Sequence, residues 1–212
     1  MSGGGAGSAT TPDPKAIVAA GYDRIADRYL AWSALRPSPA RLHALELGCG
    51  AGVPMTAALA NGRRLTGVDI SAEQIRRARR NVPGATFIQA DMTTLEREPA
   101  SLDAVVAFYS LTHVPRDQHA ELFGRIRTWL RPGGLFLASL GVEDDPGTVE
   151  PGWLGVEMYF SQFSARVGRR LVAAAGLVVE RAEILTEPED RFDARFLWVV
   201  ARTPGPSGAR SR

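Results

Sequence analysis

The amino-acid sequence predicts an α/β fold built on a mostly parallel sheet. Short apolar runs alternate along the chain with longer segments whose apolar residues recur every three or four positions, a pattern typical of strands followed by helices. The chain has 212 residues, 45% of them hydrophobic, which is enough for one globular domain with a sizeable core. The last two apolar runs lie too close together for a helical crossover, so we expect one reversed strand in the sheet.

Seven apolar runs are the predicted strands. The first five span 42–47, 64–69, 85–90, 102–109 and 134–140. The last two span 177–185 and 195–201, with the short connection "TEPED" between them. Because a parallel connection needs a dozen or more residues, these two strands should pair antiparallel.

Four segments with helical spacing are predicted to be helices. Each presents apolar residues on one face, and three of them have recognisable ends. The second begins at Ser71, whose side chain is spaced to cap the N–H of Gln74, and the fourth runs from Ser164 to Gly176. The apolar faces comprise Val18, Tyr22, Ile25 and Tyr29 in the leading helix, Ile75, Ala78 and Val82 in the second, and Leu122, Ile126 and Trp129 in the third, which ends at Pro132.

Composition places the folded domain in the middle of the chain. Residues 1–14 and 203–212 are rich in Gly, Ser, Thr and Pro and are expected to be disordered tails, which leaves one domain over 15–202. The first tail lacks the apolar core of a signal peptide, and no apolar run approaches the roughly 20 residues that span a bilayer. We therefore expect a cytoplasmic protein with no membrane partner.

Charge and cysteine content exclude several classes of site. The formal net charge is +2 and acidic residues are interspersed throughout, which argues against a nucleic-acid partner. Cys49 is the single cysteine, so an internal disulfide and a multi-cysteine zinc site are both excluded. No metal centre is expected.

The stretch "ELGCGAGVP" follows the first predicted strand and places glycines at 48, 50 and 52. In parallel sheets the first strand-to-helix loop is the usual ligand contact. A dinucleotide fingerprint has its third glycine three positions after the second, whereas one residue separates Gly50 from Gly52 here. A P-loop needs a Gly-Lys-Ser/Thr ending, and no lysine is near. A purely structural turn remains an alternative, so later strands must decide.

The next two strand ends carry groups suited to a nucleoside. Asp69 ends the second strand and can accept both hydroxyls of an unphosphorylated ribose, although an aspartate there can also be a turn former. Ile70 follows it and can cover a purine face. Asp91 and Met92 follow the third strand, where the carboxylate can accept from an exocyclic amine and the backbone N–H can meet a ring nitrogen. Together these groups describe a nucleoside site without phosphates.

With these motifs the sequence resembles the class I S-adenosylmethionine-dependent methyltransferases, in their small-molecule subgroup with type 11/25-like domains. The similarity runs through "YDRIADRY", "LELGCGAG", "GVDIS", "ADMTTL", "LRPGGLFLASLG" and "FLWVVAR". It implies a Rossmann-like fold with a seven-stranded sheet, the last strand antiparallel and helices on both faces. It also implies S-adenosylmethionine as cofactor and S-adenosylhomocysteine as product. The implied cofactor residues are Tyr22, Tyr29, Glu46, Gly48, Cys49, Gly50, Gly52, Asp69, Ile70, Asp91, Met92 and Phe108.

The fourth strand ends in "AFYSLTHVP", which is predicted to lie at the reactive end of the cofactor. Tyr109 and His113 are the candidate catalytic residues, with His113 as general base or substrate-orienting group. The alternative is that His113 simply caps the following helix. We interpret His43 and His119 as surface residues.

Residues 142–163 form a connection longer than the fold needs and are predicted to be a substrate lid. Its aromatic and apolar side chains can wall an acceptor pocket, or they can merely cover the sheet edge. The candidate substrate residues are Trp153, Met158, Tyr159 and Phe160.

The sequence narrows the acceptor without naming it. The place after the fourth strand is occupied by "AFYSL", so the Asn-Pro-Pro-Tyr and Asp-Pro-Pro-Tyr motifs typical of nucleic-acid amine or glutamine methylation are missing. We expect a small-molecule acceptor with an oxygen or nitrogen nucleophile, and a monomer or homodimer. A methyltransferase acting on RNA or protein, a non-methylating binding protein of the same fold, and a dinucleotide oxidoreductase are the alternatives.

Overall fold

The computed structural model describes residues 42–188 and 193–205, all of which belong to one compact unit, Pro39–Arg212. The predicted leading helix, with Tyr22 and Tyr29, lies outside the described residues. So do residues 1–14 and 206–212 of the predicted tails. Everything below concerns the described part of the chain.

Seven strands form one sheet in the order β3-β2-β1-β4-β5-β9-β8. Each predicted strand is present, with bounds that differ from the sequence prediction mainly at the ends. The strands of this sheet are β1 (His43–Leu47), β2 (Arg64–Asp69), β3 (Thr86–Gln89), β4 (Leu102–Ala107), β5 (Leu130–Leu140), β8 (Val178–Pro188) and β9 (Asp193–Arg202).

Strand direction follows the length of each connection. The pairs β1–β2, β2–β3, β1–β4 and β4–β5 are parallel, whereas β9 is antiparallel to both β5 and β8. The predicted seven-stranded, mostly parallel sheet with its antiparallel last strand is confirmed. Strands β2 and β3 follow on one side of β1, and β4 then pairs with β1 on its other side. The strand order therefore reverses between β1 and β4.

Within residues 42–188 and 193–205, four α-helices flank the sheet: α1 (Met55–Ala60), α2 (Ala72–Asn81), α3 (His119–Trp129) and α4 (Ala165–Ala174). The Oγ of Ser71 accepts from the N–H of Gln74, as its spacing predicts. Gly176 follows the end of α4 with a φ of 86°, the left-handed conformation that favours glycine there. Helix α1 was not predicted, because only six residues lie between the glycine loop and the next turn.

Two apolar clusters pack on opposite faces of the sheet. Side chains alternate between faces along a strand, and neighbouring residues of β2 follow this rule. Val68 belongs to the larger cluster, which includes Leu122, Phe123 and Ile126 of α3. A Cβ on Gly67 would instead meet Phe87 and Cys49, which belong to the smaller cluster with Ile75 and Ala78 of α2. Helices therefore cover both faces, as predicted.

Two segments differ from the sequence prediction. Strand β5 begins at Leu130, directly after α3, and its pairing with β4 jumps from Leu130 to Leu135 across an irregularity. Thr203, predicted to begin the C-terminal tail, is buried, and its Oγ1 accepts from the N–H of Gly134 at 2.9 Å. The ordered domain therefore continues past Arg202.

The predicted lid segment is mainly a hairpin outside the main sheet. Strands β6 (Asp145–Trp153) and β7 (Val156–Gln162) pair antiparallel as a separate two-stranded sheet. Leu154 and Gly155 make the turn with φ values of 48° and 87°, and two positive φ values are what a type I′ hairpin turn requires. None of the described helices is long and apolar enough to cross a membrane.

Candidate active site

A cleft of about 590 Å³ opens beyond the carboxyl ends of β1, β2, β3 and β4. It lies at the point where the strand order reverses, which is where parallel sheets bind ligands. The sequence-predicted residues that line it are Glu46, Gly48, Cys49, Gly50, Asp69, Ile70, Asp91, Met92, Phe108, Tyr109, His113, Trp153 and Met158.

The three glycines of the first loop all have positive φ, but they serve different purposes. A Cβ on Gly48 would overlap the Cβ of Ser110, which follows β4. One on Gly52 would press on Val82 and Ala78 at 3.2 to 3.3 Å. A Cβ on Gly50 would meet nothing within 4 Å. Gly50 is therefore the glycine whose missing side chain leaves room for a ligand, while Gly52 does not line the cleft.

Glu46 is a buried carboxylate in the cleft wall, at 3% exposure. Its Oε2 has no hydrogen-bond partner in the described part of the chain. Burial raises the pKa of Glu46 to about 7, with a hydrogen bond from Thr56 opposing the shift. An unpaired buried carboxylate is costly, so a cationic ligand group placed beside it would relieve that cost.

Asp69 connects the glycine loop to the end of β2. Its Oδ2 accepts from the N–H of Gly50 at 2.9 Å, and its Oδ1 accepts from the N–H of Ser71 at 2.9 Å. Asp69 thus does stabilise the turn, as the alternative interpretation predicted. An ionised carboxylate offers about four acceptor sites, so both oxygens keep capacity for a pair of ligand hydroxyls.

The end of β3 supplies the far wall of the cleft. The Oδ1 of Asp91 accepts from both the N–H and the hydroxyl of Thr93, at 2.8 and 2.9 Å, which fixes the carboxylate. Ile70, which follows β2, lines the cleft and is 70% exposed. A flat apolar ligand group lying on Ile70 would bury that surface.

Tyr109, at the end of β4, has a strained backbone with a φ of 53°. The left-handed conformation costs a non-glycine residue about 1–2 kcal/mol. Two features hold it there: its N–H donates to the Oγ of Ser139 at 2.7 Å, and its ring packs edge-on against Phe196 and Trp198. The result is a tyrosine ring fixed in the cleft wall.

His113 lies in a short 3₁₀ helix, Leu111–His113, and lines the same end of the cleft. Its Nδ1 is 2.9 Å from the carbonyl oxygen of Tyr159 on β7. A carbonyl only accepts, so Nδ1 carries the proton and, in the neutral ring, Nε2 is left as an acceptor. The tautomer suited to a general base is therefore set by the hairpin.

The hairpin brings two of the four candidate substrate residues to the cleft. Trp153 and Met158 line it, whereas Tyr159 and Phe160 do not. Phe160 instead packs on the His113 ring, with centroids 4.8 Å apart, and Tyr159 contributes its backbone carbonyl. Ser161, next along β7, is buried and donates to the carbonyl of Val114 at 2.7 Å. The hairpin is thus tied to the segment that carries His113.

Comparison with known proteins finds matches among methyltransferases. A family model described as a methyltransferase domain matches residues 44–134. Over 102 residues the chain is 36% identical to the trans-aconitate 2-methyltransferase of Paracidovorax citrulli, a match covering 47% of this chain and 38% of that relative. The chain thus covers well under two thirds of that relative's length.

Solved structures share the fold over nearly the whole chain. A SAM-dependent methyltransferase from Methanosarcina mazei has a TM-score of 0.69 at 17% identity, covering 84% of this chain and 98% of that one. The Burkholderia thailandensis 1,6-didemethyltoxoflavin-N1-methyltransferase, with bound 1,6-didemethyltoxoflavin and S-adenosylhomocysteine, has a TM-score of 0.60 at 22% identity, covering 93% of each chain. The chain therefore shares the fold of these S-adenosylmethionine-dependent methyltransferases.

S-adenosylmethionine, the cofactor of such methyltransferases, fits the groups that the cleft presents. Glu46 provides a buried carboxylate whose Oε2 has no partner among the described residues, Gly50 provides open backbone, and Asp69 provides acceptor capacity beside it. Cys49 is a different case: burial, with the charges of Asp69 and Glu46, raises the pKa of its thiol to about 12. It therefore stays protonated and serves as a small apolar wall residue.

Two histidines are misplaced by the sequence interpretation. His119 is buried rather than on a polar helix face: its Nε2 lies 3.0 Å from the Val114 carbonyl, and its ring packs edge-on against Phe123 and Phe163. Burial lowers the pKa of His119, which favours the neutral form of its ring. His43 is half-buried at the start of β1 rather than on the surface. Helical spacing did indicate the buried face of α3, since His119, Leu122, Phe123 and Ile126 share it.

Sequence reasoning placed Ser110 near the reactive end of the cofactor, but it missed the contacts of Ser110 and Ser139. Ser110 lines the cleft and donates to the carbonyl of Leu47 at 2.8 Å, which joins the ends of β4 and β1. Ser139 holds the strained Tyr109 backbone from β5. Both act across the sheet on partners 30 or more positions away, so no local spacing could reveal them.

Proposed function

We propose that the protein is an S-adenosylmethionine-dependent methyltransferase that transfers a methyl group to an oxygen or nitrogen nucleophile of a small molecule by in-line displacement. The observation that carries the proposal is the division of one cleft into two ends. Glu46, Asp69 and Asp91 line the part formed by the first three strand ends, and Tyr109, His113 and Trp153 line the part formed by β4 and the hairpin.

The carboxylate end would hold the cofactor. Glu46 would pair with the ammonium group of the cofactor's methionine part, and Gly50 and Ala51 would lie along that part. Asp69 would accept hydrogen bonds from the ribose hydroxyls. Ile70 and Met92 would enclose the adenine, with Asp91 at its amine. The cofactor role of Tyr22 and Tyr29, which lie outside the described residues, stays a prediction from the sequence.

The aromatic end would hold the acceptor. When bound, the cofactor supplies a sulfonium methyl that is already activated for displacement. His113 would take the acceptor's proton at Nε2 while the acceptor's oxygen or nitrogen forms its bond to the methyl carbon and the carbon–sulfur electron pair returns to sulfur. Alignment within about 3 to 3.5 Å supplies most of the rate enhancement, and a base adds roughly 10² to 10⁴.

Calorimetry with S-adenosylhomocysteine tests the cofactor assignment, with NADH as the control ligand. We expect S-adenosylhomocysteine to bind and NADH not to bind. Incubation with methyl-labelled S-adenosylmethionine and a metabolite extract then tests the transfer, and label should appear in a small molecule. Label appearing only in protein or RNA would contradict the small-molecule assignment, and absence of S-adenosylhomocysteine binding would contradict the function altogether.

A further inference from the structure

The acceptor end of the cleft has aromatic rings on two of its walls. Tyr109 stands on one wall, supported by Phe196 and Trp198 with ring centroids 5.0 and 5.8 Å away. Trp153 stands on the hairpin wall, with its ring 5.9 Å from Phe160 and 6.2 Å from His113. The two walls come from elements that are far apart in the chain, β4 and β6, and both line the same cleft.

Both rings keep a large part of their surface accessible. Tyr109 is 41% exposed and Trp153 is 38% exposed. Each is nevertheless fixed on its other side, Tyr109 by the strained backbone and its two aromatic neighbours, Trp153 by the hairpin turn and Phe160. Rigid aromatic surface that faces a cleft binds planar apolar groups at little entropic cost.

The described residues that line the cleft include no lysine or arginine that could pair with the carboxylates of a polyanionic acceptor. The acceptor end is lined instead by Tyr109, His113 and Trp153. We therefore do not extend the acceptor named in trans-aconitate 2-methyltransferase to this protein, although the two sequences are similar. The walls favour a ring over a polycarboxylate chain.

We infer that the acceptor is an aromatic or heteroaromatic molecule whose ring lies between Tyr109 and Trp153 and whose hydroxyl or ring nitrogen faces His113. The inference rests on the proposed function, since it names the acceptor class of that same reaction. Ring stacking places the nucleophile, and the proton leaves to Nε2 of His113.

Binding to the enzyme loaded with S-adenosylhomocysteine tests this without requiring turnover. The probes are 2-naphthol, 6-hydroxyquinoline, trans-aconitate and cyclohexanol, measured by saturation-transfer NMR and calorimetry. We expect one or both aromatic probes to bind and the other two not to bind. Methyl transfer to the same probes gives the second readout. Preferential binding or methylation of trans-aconitate overturns the inference, as does failure of both aromatic probes to bind a protein that binds S-adenosylhomocysteine.

The variants Trp153→Ala and Trp153→Phe test whether the ring of the bound probe lies against Trp153. We expect Trp153→Ala to weaken aromatic-probe binding at least tenfold and Trp153→Phe to stay within about threefold of wild type, while S-adenosylhomocysteine affinity is unchanged in both. The control is Leu154→Ala, at the neighbouring hairpin position, which is 85% exposed and does not line the cleft. Equal probe affinity in Trp153→Ala and wild type contradicts the placement. Loss of S-adenosylhomocysteine binding by wild-type protein would instead contradict the proposed function, so the two failures are distinguishable.

Discussion

The Nδ1 atom of His113 lies 2.9 Å from the carbonyl oxygen of Tyr159, and this contact joins the 3₁₀ helix after β4 to the hairpin. Because the carbonyl accepts, the hairpin sets which nitrogen of the imidazole carries the proton. Two residues later along β7, the hydroxyl of Ser161 donates a second hydrogen bond, to the carbonyl of Val114. The segment predicted to be a lid thus also orients the candidate base.

His113→Ala should lower turnover by about 10² to 10⁴, the usual contribution of a general base. Affinity for S-adenosylhomocysteine should be nearly unchanged, because the proposed cofactor contacts lie at the other end of the cleft. Turnover is measured with methyl-labelled S-adenosylmethionine and affinity by calorimetry. His43→Ala serves as the matched control, since His43 lies at the start of β1 and does not line the cleft. Full turnover in His113→Ala would leave His113 with only a structural role.

Asp69→Ala should weaken S-adenosylhomocysteine binding at least tenfold. The variant loses the proposed ribose contacts, at about 1.5–3 kcal/mol for each charged hydrogen bond, and it also releases the N–H groups of Gly50 and Ser71. Asp69→Asn retains one acceptor oxygen and should bind with intermediate affinity. Asp117→Ala is the control, because Asp117 is exposed in the 3₁₀ helix Arg116–Gln118 and does not line the cleft. Affinity equal to wild type in Asp69→Ala would refute the ribose assignment.

The sheet could be predicted from the sequence because its signals are local. Apolar runs marked the strands, and the short connection near Pro188 indicated the antiparallel pair of β8 and β9. Ser71 and Gly176 marked helix ends through capping chemistry. The bounds of β5 were wrong at its start because the irregularity after Leu130 depends on pairing with β4, which is a long-range property.

Part of the candidate site could be predicted for the same reason, and part could not. Glu46, Gly50 and Asp69 stand at strand ends, where topology alone brings them together. The different purposes of Gly48, Gly50 and Gly52 could not be read from their spacing, because Ser110 and Ala78, which crowd two of them, come from other elements. The hairpin was equally hidden, since the turn at Leu154 and Gly155 lacks the usual Asn-Gly signal.

The glycine loop offers a test that separates folding from binding. Gly50→Ala should cost about 1–2 kcal/mol of stability from its positive φ and should also weaken S-adenosylhomocysteine binding tenfold or more, because the new methyl group enters open space in the cleft. Gly48→Ala adds an overlap with Ser110 to the same backbone cost and should be the less stable protein. Thermal unfolding and calorimetry report the two effects. If Gly50→Ala bound S-adenosylhomocysteine as wild type does, the cofactor would not lie against Gly50.

Glu46 should make both stability and cofactor binding depend on pH. Burial raises its pKa to about 7, whereas the unfolded chain loses this proton near 4.5. The folded protein therefore holds more protons than the unfolded chain between these values, and its stability falls as the pH rises from about 4.5 to 7. Glu46→Gln has no carboxyl to ionise, so at pH 8 the variant should be more stable than wild type by up to about 3 kcal/mol.

The affinity for S-adenosylhomocysteine should rise with pH, whereas the stability falls. The ionised form of Glu46 is the one that attracts an ammonium, so wild-type affinity for S-adenosylhomocysteine should rise by up to about tenfold from pH 6 to pH 8 as the carboxyl ionises. Glu46→Gln should bind more weakly than wild type at pH 8 and should lose this pH dependence. Glu98→Gln, an exposed carboxyl away from the cleft, is the control and should keep the wild-type profile. A Glu46→Gln protein that retained the wild-type pH profile would show that another group receives the ammonium.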